Sequence, residues 1–161
     1  MNNPTIVERT SDLELVVTRT FNGPAHIVFE AWTRPELLQR WWAPKSFGIS
    51  FVSCEADVRT GGTYRFVFSH PAAEQPVAFF GRYIEVTPQS RIVWTNEEGA
   101  DGPISTVTFE EKDGKTLLVL RELYPSKQAL DDAIASGSTG TSGAGEQFEL
   151  LDELLVTLAK P

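Results

Sequence analysis

The stretch EQFELLDELLVTLA, residues 146–159, follows a long run of short β-type segments and decides the fold. Its apolar residues recur every three to four positions and form one stripe: Phe148, Leu151, Leu154, Leu155 and Leu158. Glu149, Asp152 and Glu153 lie off that stripe, and we expect them to face away from the core. The spacing predicts a long amphipathic C-terminal helix with one face to bury.

Upstream of this helix the sequence has the two-residue period of β-strands. Residues 63–69 are the clearest case, because Tyr64, Phe66 and Phe68 share one face while Arg65 takes the other. Further strands are predicted at 13–21, 47–58 (with a bulge), 77–86, 91–95, 104–111 and 116–124. Short turns, including the Asp-Gly step before residue 115, join most of them, which predicts antiparallel pairing.

Two short helices are predicted between the first and second of these strands, over 24–33 and from 35 to about 42. Another is predicted from Ser126 to about residue 135, followed by the small, flexible stretch SGSTGTSGAG at 136–145. We expect residues 1–12 to be a flexible lead-in and residues 13–161 to form a single domain. The fold class is therefore α+β, with a curved antiparallel sheet wrapped around the C-terminal helix.

Composition excludes several kinds of partner. The chain has 22 acidic and 14 basic residues, a net charge of -8, which disfavours nucleic acid and anionic membranes. The one cysteine, Cys54, has no internal disulfide partner, and the N-terminus lacks the pattern of a signal peptide. No apolar run approaches the ~20 residues of a membrane helix. These features predict a cytoplasmic protein.

The search for metal and nucleophile motifs is negative. His26 and His70 do not have metal-ligand spacing with Cys54, and no nucleophile motif of the G-x-S-x-G type occurs. The pair Gly61-Gly62 reads as a turn rather than a phosphate-binding loop. We therefore expect no metal and no cofactor.

The inward faces of the strands suggest a cavity lined with aromatic rings. The same residues could instead simply fill the core. With the end of the second short helix and the stripe of the C-terminal helix, the candidate ligand-binding residues are Trp41, Phe47, Tyr64, Phe66, Phe68, Phe79, Gly81, Tyr83, Trp94, Leu118, Leu120, Glu122, Phe148, Leu151 and Leu155. One of Trp41 and Trp42 is expected in the core and the other half exposed.

Glu122 is the most informative polar residue. It shares a strand face with Leu118 and Leu120, and Arg19 shares an inward face in the first strand. A buried carboxylate needs a partner, so we expect an Arg19–Glu122 pair, unless both lie at solvated strand ends. An internal Glu122 could orient a ligand or act as a general base. Glu122 and Arg19 are therefore the candidate catalytic residues.

Four segments in order resemble a known family over about residues 13–159. They are AWTRPELLQRWWAP (31–44), EADVRTGGTYRFVF (55–68), FGRYIEVTPQSRIVWT (80–95) and the closing helix. The chain resembles bacterial proteins similar to the C-terminal domain of the activator of heat-shock-protein-90 ATPase. This group belongs to the START/Bet v-like superfamily, also called SRPBCC. The resemblance implies a helix-grip fold with a deep apolar cavity between the sheet and the long helix.

The resemblance leaves three functions open, since fold does not determine function. Relatives bind lipids, hormones or polyketides, some are cyclases or hydrolases, and a few regulate a chaperone. The favoured function is binding of a small hydrophobic or aromatic molecule, by a monomer or homodimer. The alternatives are a cyclase- or hydrolase-like enzyme, or a chaperone ATPase regulator or stress-response interaction protein. The glycine-rich stretch 136–145 departs from relatives and suggests a looser cavity entrance.

Overall fold

A computed structural model gives the architecture and describes residues 4–42, 48, 50–71, 74–97, 102–136 and 144–158. The strands are β1 (Ile6–Arg9), β2 (Glu14–Phe21), β3 (Ser50–Ala56), β4 (Thr63–Ser69), β5 (Val77–Thr87), β6 (Arg91–Thr95), β7 (Ile104–Lys112) and β8 (Lys115–Leu123). The helices are α1 (Ala25–Thr33), α2 (Pro35–Trp41), α3 (Lys127–Ser136) and α4 (Ala144–Leu158). The predicted α+β helix-grip class is confirmed.

All eight strands form one curved antiparallel sheet in the order β1-β2-β8-β7-β6-β5-β4-β3. The β7–β8 hairpin turns at Asp113 and Gly114, whose φ angles of 55° and 76° suit the turn that an Asp-Gly step favours. The predicted bulge in the strand after α2 is present, as a shift of register between Phe51 and Ser53. This bulge sets which β3 side chains lie on the concave face of the sheet.

The first strand is an element that the sequence did not predict. Residues 6–9 lie in the expected lead-in, yet they pair with β2 from Ile6 opposite Thr18 to Arg9 opposite Leu15. Strand β1 is a four-residue edge strand whose side chains are all exposed, so it lacks the alternation that marks a buried strand. The two short helices therefore follow the second strand of the sheet rather than the first.

Helix α4 buries the predicted stripe. Phe148, Leu151, Leu154 and Leu155 are all buried in the main core, and Leu158 packs at its edge. They meet the concave face of the sheet, where Val17, Val107 and Leu118 are buried as well. Each fully buried side chain of this size stabilises the fold by about 1.5–3 kcal/mol. The described part of α4 begins at Ala144, and residues 137–143 of the predicted flexible stretch lie outside the described residues.

Helix α3 covers a second, smaller core at the other end of the concave face. Its Leu130 is buried against Leu15 and Tyr124. The Ser126 hydroxyl accepts a hydrogen bond of 3.0 Å from the Ala129 backbone N–H, which is the predicted N-terminal cap. This helix places an apolar cover over the part of the sheet that holds Glu122.

Candidate functional site

The register of the sheet brings the predicted aromatic residues onto one concave face. Phe66 lies opposite Phe79, and Tyr64 lies opposite Gly81 in the neighbouring strand. Tyr83 in turn lies opposite Trp94. Because alternate residues of a strand share a face, β4, β5 and β6 present their rings to the same side of the sheet. The predicted grouping of these residues is therefore what the structure contains.

Six aromatic rings form a continuous series that we call the aromatic track: Trp32, Trp42, Phe66, Phe51, Phe68 and Phe79. The successive ring centroids are 5.8, 5.5, 5.9, 4.5 and 5.5 Å apart, within the range of favourable aromatic contact. The track joins α1 and the end of α2 to strands β3, β4 and β5. It therefore crosses from the helices to the sheet along one apolar surface.

The two ends of the aromatic track differ in exposure. Trp32 is 4% exposed, whereas Phe79 is 41% exposed. Phe79 was expected to line the interior, but the structure places it on the concave face near solvent. The aromatic track is thus an apolar surface that continues from the core to solvent.

Several other predicted ligand-binding residues are core residues around the track. Tyr64, Tyr83 and Trp94 are buried on the sheet side, and the Tyr64 hydroxyl donates a 2.7 Å hydrogen bond to the Thr95 carbonyl. Burial raises the pKa of Tyr83 well above its usual range, and the nearby Cys54 and Asp57 add to the effect. The remaining buried members are Leu118, Leu120, Phe148, Leu151 and Leu155. These residues belong to the main core that surrounds the track.

The two tryptophans at the end of α2 differ in burial, as predicted. Trp41 is buried, and its indole N–H donates a 2.9 Å hydrogen bond to the Ala31 carbonyl, which fixes α2 against α1. Trp42 is half-buried and belongs to the aromatic track. Phe47, another predicted ligand-binding residue, lies outside the described residues. Of the pair, Trp42 rather than Trp41 is thus the side chain available to a ligand.

The glycine at position 81 is required by close packing of the backbone and does not create cavity space. A Cβ atom at this position would lie 2.2 Å from the Thr95 carbonyl oxygen of β6. That carbonyl also accepts the hydrogen bond from Tyr64. Glycine therefore allows β5 and β6 to approach each other closely beneath the aromatic rings.

Glu122 lies on the concave face, as predicted, and is 4% exposed. It lies opposite Leu15 of β2 and the buried Ser105 of β7. Its charge contributes to raising the pKa of the neighbouring Tyr124, for which burial is the larger cause. Glu122 thus lies beside Leu15, which α3 covers, and in the same cross-strand row as Ser105 and Trp94.

The predicted Arg19–Glu122 ion pair is wrong. Arg19 lies opposite Leu118, which is four residues along β8 from Glu122 and so about 13 Å away. Arg19 instead contacts two carboxylates of α4, Glu149 at 3.2 Å and Asp152 at a shorter distance. These two acidic residues were expected to face away from the core, and the buried Arg19 side chain turns them toward the sheet.

The Arg19 cluster fixes α4 to β2. The Arg19 guanidinium also donates a 2.8 Å hydrogen bond to Thr5, at the start of the chain. Burial raises the pKa of Asp152, while the positive charge of Arg19 opposes that shift. Because the carboxylates of Glu149 and Asp152 both contact the Arg19 guanidinium, the charge of Arg19 is already compensated. We therefore assign Arg19 a structural role.

Three residues of the aromatic track were not among the predicted ligand-binding residues. Trp32 has the helical spacing of a core residue, Trp42 was only expected to be half exposed, and Phe51 lies beside the β3 bulge. The bulge places Phe51 on the same face as Cys54, opposite Phe68 and Phe66. Partial burial, with a contribution from Glu36, raises the pKa of the Cys54 thiol to about 11. Cys54 is therefore a poor nucleophile at neutral pH.

Other kinds of site are poorly represented in the described residues. They contain no group of three or more His, Cys, Asp or Glu side chains able to hold a metal ion. No helix among them has the length and apolarity to cross a membrane. An open depression of about 410 Å³ on the convex face is lined by Thr20, Glu110, Lys112, Asp113, Lys115 and Leu117. This depression shares no residue with the aromatic track.

A curved antiparallel sheet gripping a C-terminal helix, with aromatic rings between them, defines a protein of the helix-grip class. Within that class, the chain belongs to the family described as "Activator of Hsp90 ATPase homolog 1-like protein", which it matches over residues 22–156. The resemblance drawn from the sequence motifs is thereby confirmed.

Solved structures of bacterial proteins have the same fold. A protein from Rhodobacter sphaeroides superposes with a TM-score of 0.83 at 24% identity, covering 96% of this chain and 99% of that one. A protein from Nitrosomonas europaea gives 0.81 at 23%, covering 93% and 98%, respectively. A protein from Mycobacterium smegmatis, Ms6760, gives 0.79 at 24%, covering 96% and 99%. At these identities the similarity shows the fold alone. No curated protein matches the sequence.

Proposed function

We propose that this protein binds a small hydrophobic or aromatic molecule between the sheet and α4, with the aromatic track as its contact surface. The observation that carries the proposal is the continuity of the track, from the buried Trp32 to Phe79 at 41% exposure. Membership of a family with a ligand-binding fold supports it in general terms. Apolar lining with few polar groups is the usual character of small-molecule sites.

An enzyme of the cyclase or hydrolase kind is less well supported. The two candidate catalytic residues lie about 13 Å apart along the sheet, so they cannot act on one reacting group. Arg19 is held by Asp152 and Glu149, and Glu122 lies beside Leu15, which belongs to the core covered by α3. A chaperone-regulating role has support only from the family description, and no surface feature of the described residues favours it.

The proposed setting is a cytoplasmic one, with no nucleic acid or membrane as partner. A net charge of -8 favours neutral partners over polyanions. The single cysteine is consistent with a reducing compartment. Whether the chain acts as a monomer or as a homodimer is a separate question that sedimentation velocity answers.

Two adjacent phenylalanines offer a matched test of the proposed surface. Phe79 and Phe80 are 41% and 37% exposed, but they lie on opposite faces of β5. Replacing Phe79 with alanine is expected to weaken naphthalene binding about three- to tenfold, because one aromatic contact at the exposed end of the aromatic track is lost. Naphthalene titration followed by tryptophan fluorescence measures the effect.

The Phe80→Ala variant is the control, since it removes an equally exposed ring from the convex face. It is expected to bind naphthalene as the original protein does. Equal weakening by both substitutions, or no binding of naphthalene by any of the three proteins, would contradict the proposed site. Circular dichroism confirms that each variant retains its fold.

A further inference from the structure

The buried end of the aromatic track carries a polar group with no partner among the described residues. Trp32 is 4% exposed, and no acceptor in the described part of the chain reaches its indole N–H. Buried indole N–H groups usually have a hydrogen-bond partner, because leaving one unpaired costs about 1–3 kcal/mol. The donor is therefore available to an acceptor atom on a bound molecule.

The neighbouring tryptophan shows what a purely structural indole does in this fold. Trp41 packs against Trp32 with ring centroids 4.8 Å apart, and its own N–H is bonded to the Ala31 carbonyl at 2.9 Å. Of these two adjacent buried indoles, one has an acceptor among the described residues and the other has none. Since Trp32 is also the inner end of the aromatic track, its donor lies where a bound molecule would end.

The charges of the concave face limit what that molecule can be. In the described part of the sheet, the basic side chains on this face are Arg19, which already contacts Glu149 and Asp152, and Arg9, which pairs with Asp131 of α3. Glu122 adds a further buried carboxyl on the same face. An anionic group would therefore find no available cation and several acidic neighbours. A neutral acceptor fits both the open donor and this charge pattern.

We infer that Trp32 is a specificity-determining residue, whose indole N–H donates a hydrogen bond to a neutral acceptor atom on an aromatic ligand. This inference rests on the proposed function and narrows its ligand class. The preferred ligands are neutral aromatic molecules with a nitrogen or oxygen acceptor in or on the ring system. Purely hydrocarbon ligands of the same shape leave the Trp32 donor unpaired and lose affinity.

Quinoline and naphthalene are suitable probes, because they have nearly the same shape and differ by one neutral acceptor nitrogen. Both are titrated into the original protein and into a Trp32→Phe variant, which keeps an aromatic ring but removes the donor. The substitution is expected to weaken quinoline binding about three- to tenfold more than naphthalene binding. The ratio of quinoline affinity to naphthalene affinity is compared between the original protein and the variant. This comparison cancels the difference in hydration between the probes.

Trp41→Phe is the control, since it removes a neighbouring N–H that is already bonded to the protein. It is expected to leave the ratio of quinoline to naphthalene affinity unchanged. If the Trp32→Phe variant does not fold, the indole ¹H–¹⁵N signal of Trp32 in the original protein serves instead. That proton signal should move downfield with quinoline and not with naphthalene.

The outcomes separate this inference from the proposed function. If both probes bind and Trp32→Phe leaves their affinity ratio unchanged, or the Trp32 signal responds equally to both, the donor role is overturned and the binding function stands. If neither probe binds, the proposed function and the inference both fail.

Discussion

Replacing Gly81 with alanine is expected to lower the free energy of unfolding by about 3 kcal/mol, because the new Cβ atom has no space. It would lie 2.2 Å from the Thr95 carbonyl oxygen and 2.9 Å from the Thr95 hydroxyl. The obstructing atoms belong mainly to the backbone of β6, so relief requires the two strands to separate. Urea unfolding followed by tryptophan fluorescence measures the loss.

The effect should reach the aromatic residues as well as stability. Thr95 accepts the Tyr64 hydrogen bond, and its hydroxyl accepts a 2.9 Å hydrogen bond from the Arg82 backbone N–H. Gly23→Ala is the control, since a Cβ atom there meets nothing within 4 Å. It should change stability by no more than about 0.5 kcal/mol. Similar stability of the two variants would contradict the close approach of β5 and β6.

Removing the buried guanidinium at Arg19 is the second large effect. Arg19→Met should lower the free energy of unfolding by about 3 kcal/mol at neutral pH, because Asp152 is left partly buried without its cation. The loss should shrink as the pH falls and Asp152 becomes protonated, since a neutral carboxyl tolerates burial. Urea unfolding at pH 7 and at pH 4 gives both values.

Arg121 provides the matched control for Arg19. It also lies on the sheet and pairs with a carboxylate, Glu14, at 3.4 Å, but its side chain is exposed. Exposed ion pairs contribute little, so Arg121→Met should cost less than about 1 kcal/mol. An Arg19→Met variant as stable as Arg121→Met, or a loss that does not depend on pH, would show that α4 is not held by this cluster.

The sequence predicts the strands best where one face is apolar and the other polar. The alternation around Phe66 and Phe68 places both rings on the concave face, and the α4 stripe is buried as its spacing indicates. Strand β1 lacks this signal, because an edge strand with exposed side chains has no buried face to mark it. Its pairing with β2 depends on backbone hydrogen bonds that a side-chain pattern does not encode.

The candidate site was predicted less completely, since alternation gives the face of a residue and not its register. Arg19 and Glu122 do share the concave face, but the pairing of β2 with β8 separates them. Phe51 joins the aromatic track because the bulge after it changes which residues of β3 share a face, so that Phe51 and Cys54 both lie on the concave face. Trp32 appears in the sequence as an ordinary core position. The sequence pattern does not indicate that its N–H lacks an acceptor among the described residues.

The most direct test of the central claim is to locate a bound aromatic probe. Isotope-filtered nuclear Overhauser measurements between unlabelled naphthalene and ¹³C-labelled protein report which side chains it touches. The predicted result is cross-peaks to Phe66, Phe68 and Trp42, the middle of the aromatic track. Cross-peaks confined to convex-face residues such as Phe80 and Leu117, or none at all at saturating naphthalene, would contradict binding between the sheet and α4.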